Sequence, residues 1–525
     1  MIATISSPRR SVTRSGRIPV ASEWRAAAVV GAFGAILSLA LAWQPSIWFD
    51  EAATISATMR SWPELGRMLQ SVDAVHGLYY VGMHLWLDLV GYSSFALRLP
   101  SAVFVGVSAA LTVLLVSSRA SRRTAVLSGI VFCLLPRVTW MGTEGRSYAL
   151  TAALAIALTL VFLAAWRRGP APRHIRLLWW ALYGLAAVAA TATFIYLAFL
   201  VAAHGLTALW TVWAARRRDP AARASLAGWA LASVAAALLL LPFALAVVRQ
   251  SGQVSWIAPI SWGSWNGVFV TQWFYLNPAF AVVAWALLVI GVVALIRGRS
   301  RATGSPAPSA GARNPSLLAV ALPWLAVPTL GVILVSALLS PLYSPRYLTF
   351  CAPAVAILIG VGLAALRRRW LIITALVVLV ALAAPQFVAQ RQPEAKQNSS
   401  WSEVADLISR ERAAHPGETG AVIYGPVRQH PAATTRVIAY SYPDAFTGLI
   451  DVKLKTPAAQ TGELWETRYP LDAVTDRLDG VDAVWLVTSD KQDWRPSVTE
   501  KLAALGYSLD EEWGLTGVNV LRYER

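Results

Sequence analysis

The stretch that decides the reading of this chain is Gln44–Tyr80, QPSIWFDEAATISATMRSWPELGRMLQSVDAVHGLYY. It follows the first long apolar run and carries Asp50, Glu51, Glu64, Asp73 and His76. Carboxylates are scarce around it. Before Arg391 the chain holds only eight acids, Glu23, Asp50, Glu51, Glu64, Asp73, Asp88, Glu144 and Asp219, and four of the eight stand in this stretch. A chain that avoids carboxylates elsewhere and gathers them beside an apolar run uses them, so chemistry is expected here first.

The rest of the composition explains the avoidance. With 56% hydrophobic and 14% charged residues and a mean hydropathy of +0.53, the chain is too apolar for a soluble protein. Apolar runs of about 20 residues recur, each long enough to cross a bilayer as a helix. The net charge of +17 is unevenly placed: 30 basic residues face 8 acids before Arg391, and 15 face 20 from there on. Nucleic-acid binding would need a basic stripe on a folded surface. Here the arginines form short clusters between apolar runs, which is the positive-inside pattern. Cys133 and Cys351 both lie in apolar runs, so neither a disulfide framework nor a cysteine metal site is expected.

Residues 1–25 form a basic tail, expected in the cytoplasm. The apolar run 26–43 is longer than the core of a cleaved signal peptide and many spans follow, so it is read as the first span. Further basic clusters are Arg119/Arg122/Arg123, Arg167/Arg168/Arg173/Arg176, Arg216/Arg217/Arg218/Arg223, Arg297/Arg299/Arg301/Arg313 and Arg367/Arg368/Arg369. Placing all of them in the cytoplasm gives eleven spans, roughly 26–43, 99–117, 125–138, 148–166, 177–190, 194–213, 225–247, 278–296, 317–339, 348–365 and 370–389. Leu78–Val90 must then not cross, and reads as an amphipathic helix on the outer surface. The loops 44–98, 139–147, 248–277 and 340–347 all face outward, and 297–316 is a cytoplasmic linker with a low-complexity core, SRATGSPAPSAGARNPS. The expected organisation is a membrane module over 26–390 and a soluble outer α/β domain over 391–525. In that domain Ala421–Tyr424, Val484–Val487 and Gly517–Tyr523 read as strands and Glu403–Ala413 as a helix.

Each candidate residue has a functional and a structural reading. Asp50 can serve as a general base toward a hydroxyl, or it can cap a helix Glu51–Arg60. Asp73 and His76, in DAVHGLYY, can hold a divalent metal or orient a hydroxyl, or simply mark a turn. Arg98 in RLPS binds an anion or snorkels at a span end. Glu144 and Arg146, in TWMGTEGRSY, bind a sugar hydroxyl and a phosphate or pair with each other. Arg346-Tyr347, in PLYSPRYLTF, sits at a turn braced by two prolines, where a planar guanidinium suits a phosphate. Tyr343 and Tyr347 also suit an interfacial belt, as do Trp256, Trp262, Trp265, Trp273, Phe274 and Tyr275.

Taken in order, these motifs resemble those of the polyprenyl-phosphate-sugar-dependent GT-C glycosyltransferases, nearest to the branch of protein O-mannosyltransferases and aminoarabinose transferases. WFDEA (48–52) is similar to that family's acidic pair after span one. VHGLYY (75–80) is similar to its HPPLYY segment, with both prolines missing. RLPS (98–101), EGRSYAL (144–150) and PRY (345–347) match further motifs. The Ala/Arg-rich composition resembles bacterial membrane mannosyltransferases of the actinobacterial cell envelope. The resemblance covers about 1–390. It implies a helical GT-C membrane protein moving one sugar, mannose favoured, from a polyprenyl-phosphate donor to a glycan, glycolipid or protein hydroxyl on the outer face of the plasma membrane. It also implies roles. Asp50 and Glu51 would be catalytic, and Asp73, His76 and Tyr79 would orient the acceptor. Arg98, Arg146, Arg346 and Tyr347 would bind the donor phosphate, with Glu144, Tyr148 and Trp273 nearby. No helper protein is required; the cofactor is left open, with room for a divalent metal near Asp50, Asp73 and His76. The rival classes are a lipid or polysaccharide transporter and a glycan-binding scaffold. A transporter places ionisable groups near the bilayer midplane, and the expected spans hold almost none.

Overall fold

The computed structural model describes residues 20–215, 219–302, 314–427 and 430–525. The tail before Val20, most of the low-complexity linker and the Arg216–Arg218 cluster lie outside these residues. Among the described residues nine helices are long and apolar enough to cross a membrane, from Ser94–Ser117 to Arg369–Ala389, and the protein is a multi-pass membrane protein.

The two other expected spans are also helices, with different bounds. The first is Ala21–Leu39, which starts five residues early because the Glu23 carboxylate accepts the Val20 N–H at 2.9 Å and holds the first turn. The expected span 125–138 is Arg122–Leu134, only 13 residues long. At ~1.5 Å per residue it rises about 20 Å, short of a ~30 Å hydrocarbon core. Leu135 turns extended, Pro136 opens a new helix, and Pro136–Met141 covers the remaining depth.

Packing follows residue size. Ala21–Leu39 lies along Ser94–Ser117 through paired glycines: a Cβ on Gly106 would stand 2.7 Å from the Gly31 carbonyl oxygen. Only glycine lets two backbones approach this closely. Ala352–Ala365 is apolar all round and buried from Ala352 to Leu363, so it forms the centre of the bundle. Pro220–Arg249 and Arg369–Ala389 expose most of their leucines, valines and isoleucines at the periphery, as Leu231, Leu238, Ile373 and Val377 do.

The four polar loops converge at one end of this bundle. Thr54 Oγ1 donates to the Gly145 carbonyl at 2.9 Å, Asp73 N–H to Gln253 at 3.2 Å, and Arg346 pairs with Asp50. Loop 44–98 folds into helices Phe49–Thr58, Trp62–Ser71 and Gly77–Val90. The last of these buries Tyr79, Tyr80, Met83 and Leu87 and exposes Leu78, Leu85 and Leu89, as expected of an amphipathic surface helix.

Residues 401–525 form a mixed five-stranded sheet in the order Ile450–Asp451, Gly420–Tyr424, Ala483–Ser489, Val518–Glu524, Ser508–Leu515. The first three run parallel and the last two pair antiparallel. Side chains alternate across it with period two. Ala421, Ile423, Val484 and Leu486 enter a core shared with Leu502 and Tyr523. Val422, Tyr424, Trp485 and Val487 point the other way, into a core with helix Trp401–Ala414. That second core also contains Ile47, Ile55, Leu65, Tyr79 and Leu97. The C-terminal domain and the first polar loop are therefore packed as one body. The Ile47 N–H donates to the Tyr442 hydroxyl at 2.9 Å, Tyr92 donates to the Ser441 carbonyl at 2.7 Å, and Ser56 to the Leu464 carbonyl at 2.6 Å.

Candidate active site

Asp50 does not cap its helix. Helix Phe49–Thr58 begins two residues earlier than expected, with Trp48 as N-cap and no side-chain capping bond. Asp50 thus sits in the first turn, and its carboxylate leaves the helix to meet Arg346 at 2.9 Å, each side chain partly open. A second arginine reaches the same residue: Arg146 donates to the Asp50 carbonyl at 3.2 Å and to the Tyr80 hydroxyl at 3.0 Å. Tyr80 in turn donates to Asp73 at 2.6 Å. Asp50, Arg346, Arg146, Tyr80 and Asp73 are thus one connected polar network.

Glu51, its neighbour, is placed differently. It is fully enclosed and forms a two-pronged pair with Arg98, 2.8 Å from Nε and 2.6 Å from Nη2. Its Oε1 also accepts the Gly145 N–H at 2.7 Å. The rest of the Arg98 fork donates to the carbonyls of Ala42, Pro45 and Ser46. All five guanidinium donors are engaged, so Arg98 has no edge left for a phosphate and Glu51 no lone pair facing a cavity. This pair ties the end of the first span to the start of the second.

Asp73 holds a left-handed backbone, φ 57°. Burial raises its carboxyl above the ordinary range, while the Arg146 charge and the Tyr80 hydroxyl pull it back. His76 is half-buried; burial, then Arg146 and Arg346, hold its imidazole well below its usual pKa. Its Nδ1 has no hydrogen-bond partner. Tyr79 packs beside Tyr80 with ring centroids 6.2 Å apart, and Tyr148 lies against Trp140 at 5.3 Å. Trp273 does not join them. It is buried against Phe274 and Trp285 in a purely aromatic cluster.

Glu144 accepts the Trp48 indole N–H at 3.0 Å and forms an ion pair with Lys396. Both are buried. Desolvation raises the carboxyl and lowers the ammonium, and each opposes the shift of the other. Lys396 belongs to the segment that follows the last span and also donates to Thr143 at 3.2 Å.

A cavity of about 260 Å³ opens between these groups, with Arg137, Arg346 and Lys396 in its wall beside Trp48, Trp140 and Trp256. Arg137 donates to the carbonyls of Thr271 and Gln272. The Arg346 guanidinium lies 5.0 Å from the Trp256 ring centre and 5.6 Å from those of Trp48 and Tyr347, and its buried Nε has no partner. Three cations, one acid and an orphaned N–H donor suit an anion carried by an apolar body.

Trp48, Arg137 and Lys396 were not singled out from the sequence. A signal existed for Arg137. Outside the six basic clusters only seven arginines precede Arg391, namely Arg60, Arg67, Arg98, Arg137, Arg146, Arg249 and Arg346, and the cavity draws on this group. For a metal, the described residues bring together one set of three candidate ligands, His415, Glu418 and Glu524, in the C-terminal domain. Glu418 and Glu524 both already pair with Arg522. Asp50, Asp73 and His76 form no such set; Asp50 is held by Arg346 and Asp73 by Tyr80.

The fold of the chain, a bundle of long apolar helices with a small C-terminal sheet domain, is shared with solved membrane proteins. The chain is similar to ArnT from Cupriavidus metallidurans bound to undecaprenyl phosphate, with a TM-score of 0.56 and 15% identity, covering 96% of this chain and 98% of that one. Against the apo state of the same protein the TM-score is 0.54, with 14% identity and the same coverage. The archaeal oligosaccharyltransferase AglB from Archaeoglobus fulgidus, in complex with an inhibitory peptide and a dolichol-phosphate, gives 0.46 at 11% identity, covering 94% and 74%. At these identities the likeness is one of fold. No protein-family model and no curated protein sequence matches the chain.

Proposed function

We propose that the protein is a membrane glycosyltransferase that moves one sugar, mannose favoured, from a polyprenyl-phosphate donor to a hydroxyl acceptor on the extracytoplasmic face. The observation that carries this reading is the Asp50–Arg346 pair at the edge of the cavity lined by Arg137, Arg346 and Lys396. The ArnT structure of the same fold, bound to undecaprenyl phosphate, adds support for a lipid-phosphate donor.

In this scheme the donor phosphate enters between Arg346, Arg137 and Lys396 and competes with Asp50 for the Arg346 guanidinium. The freed Asp50 carboxylate accepts the proton of the acceptor hydroxyl as that oxygen bonds to the anomeric carbon. The bond from that carbon to the phosphate oxygen breaks, and its electron pair stays on the phosphate. The added negative charge falls where the cations already stand, so they bind the transition state more strongly than the ground state. Arg146, itself held by Tyr80 and Asp73, fixes the backbone of Asp50. Glu51 and Arg98 act through the fold and touch neither substrate.

The test is Arg346→Ala and Arg346→Lys in lipid nanodiscs, with undecaprenyl phosphate binding and sugar transfer from a panel of lipid-phosphate sugars as readouts. Loss of binding and transfer in Arg346→Ala is expected, and Arg346→Lys should restore little of either, because an ammonium lacks the planar fork. Wild-type binding and transfer in Arg346→Ala would remove the phosphate role.

A further inference from the structure

A second cavity, about 340 Å³, lies where the first polar loop meets the C-terminal domain. The two cavities share Trp48, Lys396 and Gln397 in their walls, and Asp50 follows Trp48-Phe49 directly in sequence. The second cavity takes Phe49 from the membrane module and Trp401, His430, Thr435 and Ser489 from the domain. Phe49 and His430 stack face to face across this boundary, with ring centroids 3.4 Å apart. Burial holds the His430 imidazole below its usual pKa, while the Asp50 and Arg346 charges act on it in opposite directions.

The lining has a definite chemical character. Aromatic faces alternate with hydroxyls and amides, and among the described residues no carboxylate lines it. Its lone ammonium, Lys396, is already paired with Glu144. Such a surface offers nothing to an ion. It suits a neutral polyol, whose C–H faces lie on aromatic rings while its hydroxyls meet amides and hydroxyls. The volume is at the low end for small-ligand sites, which fall in the range of ~300–1,000 Å³.

The segment between the cavities carries a further mark. Gln397 and Asn398 are consecutive non-glycine residues with left-handed backbones, φ 54° and 57°. Such conformations persist where the surroundings enforce them, and they concentrate at functional sites. Here they keep two exposed amide side chains on the cavity wall.

We infer that this second cavity is the acceptor subsite, that it takes the terminal sugar of a neutral glycan, and that the C-terminal domain supplies half of it. This deepens the glycosyltransferase reading and rests on it. Lys396 and Trp48 then form the partition across which the sugar passes, from the cationic cavity on one side to a bound hydroxyl on the other, with Asp50 paired to Arg346 in the wall of the first.

The experiment uses the full chain in nanodiscs, an array of neutral oligosaccharides as probe, and undecaprenyl phosphate as the control ligand. Array hits are titrated against wild type, Asn398→Ala, Phe49→Ala and Arg346→Ala. Asn398 is exposed, so its replacement costs only the strain of a left-handed alanine, and the protein stays folded even where Phe49→Ala does not. The expected result is at least a tenfold loss of glycan affinity in Asn398→Ala, with undecaprenyl phosphate affinity within twofold of wild type. Arg346→Ala should do the reverse. Unchanged glycan affinity in Asn398→Ala overturns the inference. So does an array without hits, or displacement of glycans by hydroxyl-bearing peptides bound more tightly. Failure of wild type to bind undecaprenyl phosphate would instead count against the donor reading, so the two outcomes are distinct.

Discussion

Asp50 and Glu51 are adjacent acids that the helix they share sends to different surroundings. Successive side chains on a helix point about 100° apart, so one faces Arg346 at a cavity edge and the other enters a sealed pocket with Arg98. Their substitutions should part accordingly. Asp50→Asn keeps the shape but not the proton acceptor, so transfer should fall on the order of a hundredfold or more while the melting temperature hardly moves. Glu51→Gln leaves Arg98 enclosed without its counter-charge, a loss of about 3–5 kcal/mol. It should show as a lower yield of folded protein and an earlier thermal transition. His76 adds a pH dependence. Its folded-state pKa lies well below 6.5, so the unfolded chain binds the extra proton. This contribution to stability is complete above pH 6.5 and falls as pH drops below it, by up to ~1.4 kcal/mol per unit. Melting wild type and His76→Asn between pH 5 and 7.5 should show a steeper acid loss in wild type; parallel curves would refute it. The acid census pointed to Asp50 because carboxylates are rare in this membrane module. It could not separate Asp50 from Glu51, since burial of one neighbour and not the other is set by Arg98, 47 residues away in the sequence. Lys396 was hidden for a related reason: it lies in the segment read as another domain.

Hydropathy made the long helices legible, because a span is a local property of about 20 residues. It was less exact where a crossing is assembled from pieces. Within 125–138 the local clue to the break at Leu135 is Pro136, which ends one helix and starts the next. Helix pairing was not legible either, since glycines at 31 and 106 carry meaning only once they face each other. Replacing Gly106 by leucine should force apart Ala21–Leu39 and Ser94–Ser117, where even a Cβ meets Ala35 at 2.8 Å. Overpacking of this kind costs about 1–3 kcal/mol or more. Because Arg98, in the second of these helices, holds both Glu51 and the Ala42 carbonyl just beyond the first, both stability and transfer should fall. Gly82, whose added Cβ would meet nothing within 4 Å, is the control position, and leucine there should melt close to wild type.

At the scale of the molecule, charge segregation carries the orientation. Single cysteines at Arg122 and Arg368 should stay protected from an impermeant thiol reagent added outside intact cells, while cysteines at Trp262 and Asn398 should react. Labelling of position 122 without labelling of 398 would invert the topology and remove the extracytoplasmic reading. Periodicity also revealed the α/β character of the C-terminal region, with strands and helix near their expected places. What it left hidden is that this domain shares a core with the first polar loop. Binary patterning says that Val422 and Trp485 are buried, and does not say against what. Ending the chain after residue 390 should therefore do more than remove a domain. It should expose Ile47, Ile55 and Leu65 and lower the expression of folded protein, measured as the monodisperse fraction after detergent extraction.

The bond from Ile47 to Tyr442 joins positions 395 residues apart, and that separation sets a schedule for biosynthesis. The loop bearing Asp50 is translated well before its packing partner. At about 5–20 residues per second the interval is roughly 20–80 s. Throughout it the reactive loop lacks one wall, so a ribosome-bound or prematurely terminated chain spans the membrane without a finished site. Activity begins only after the packing partner has been made, and any factor that shields the loop in the meantime must release it to that domain.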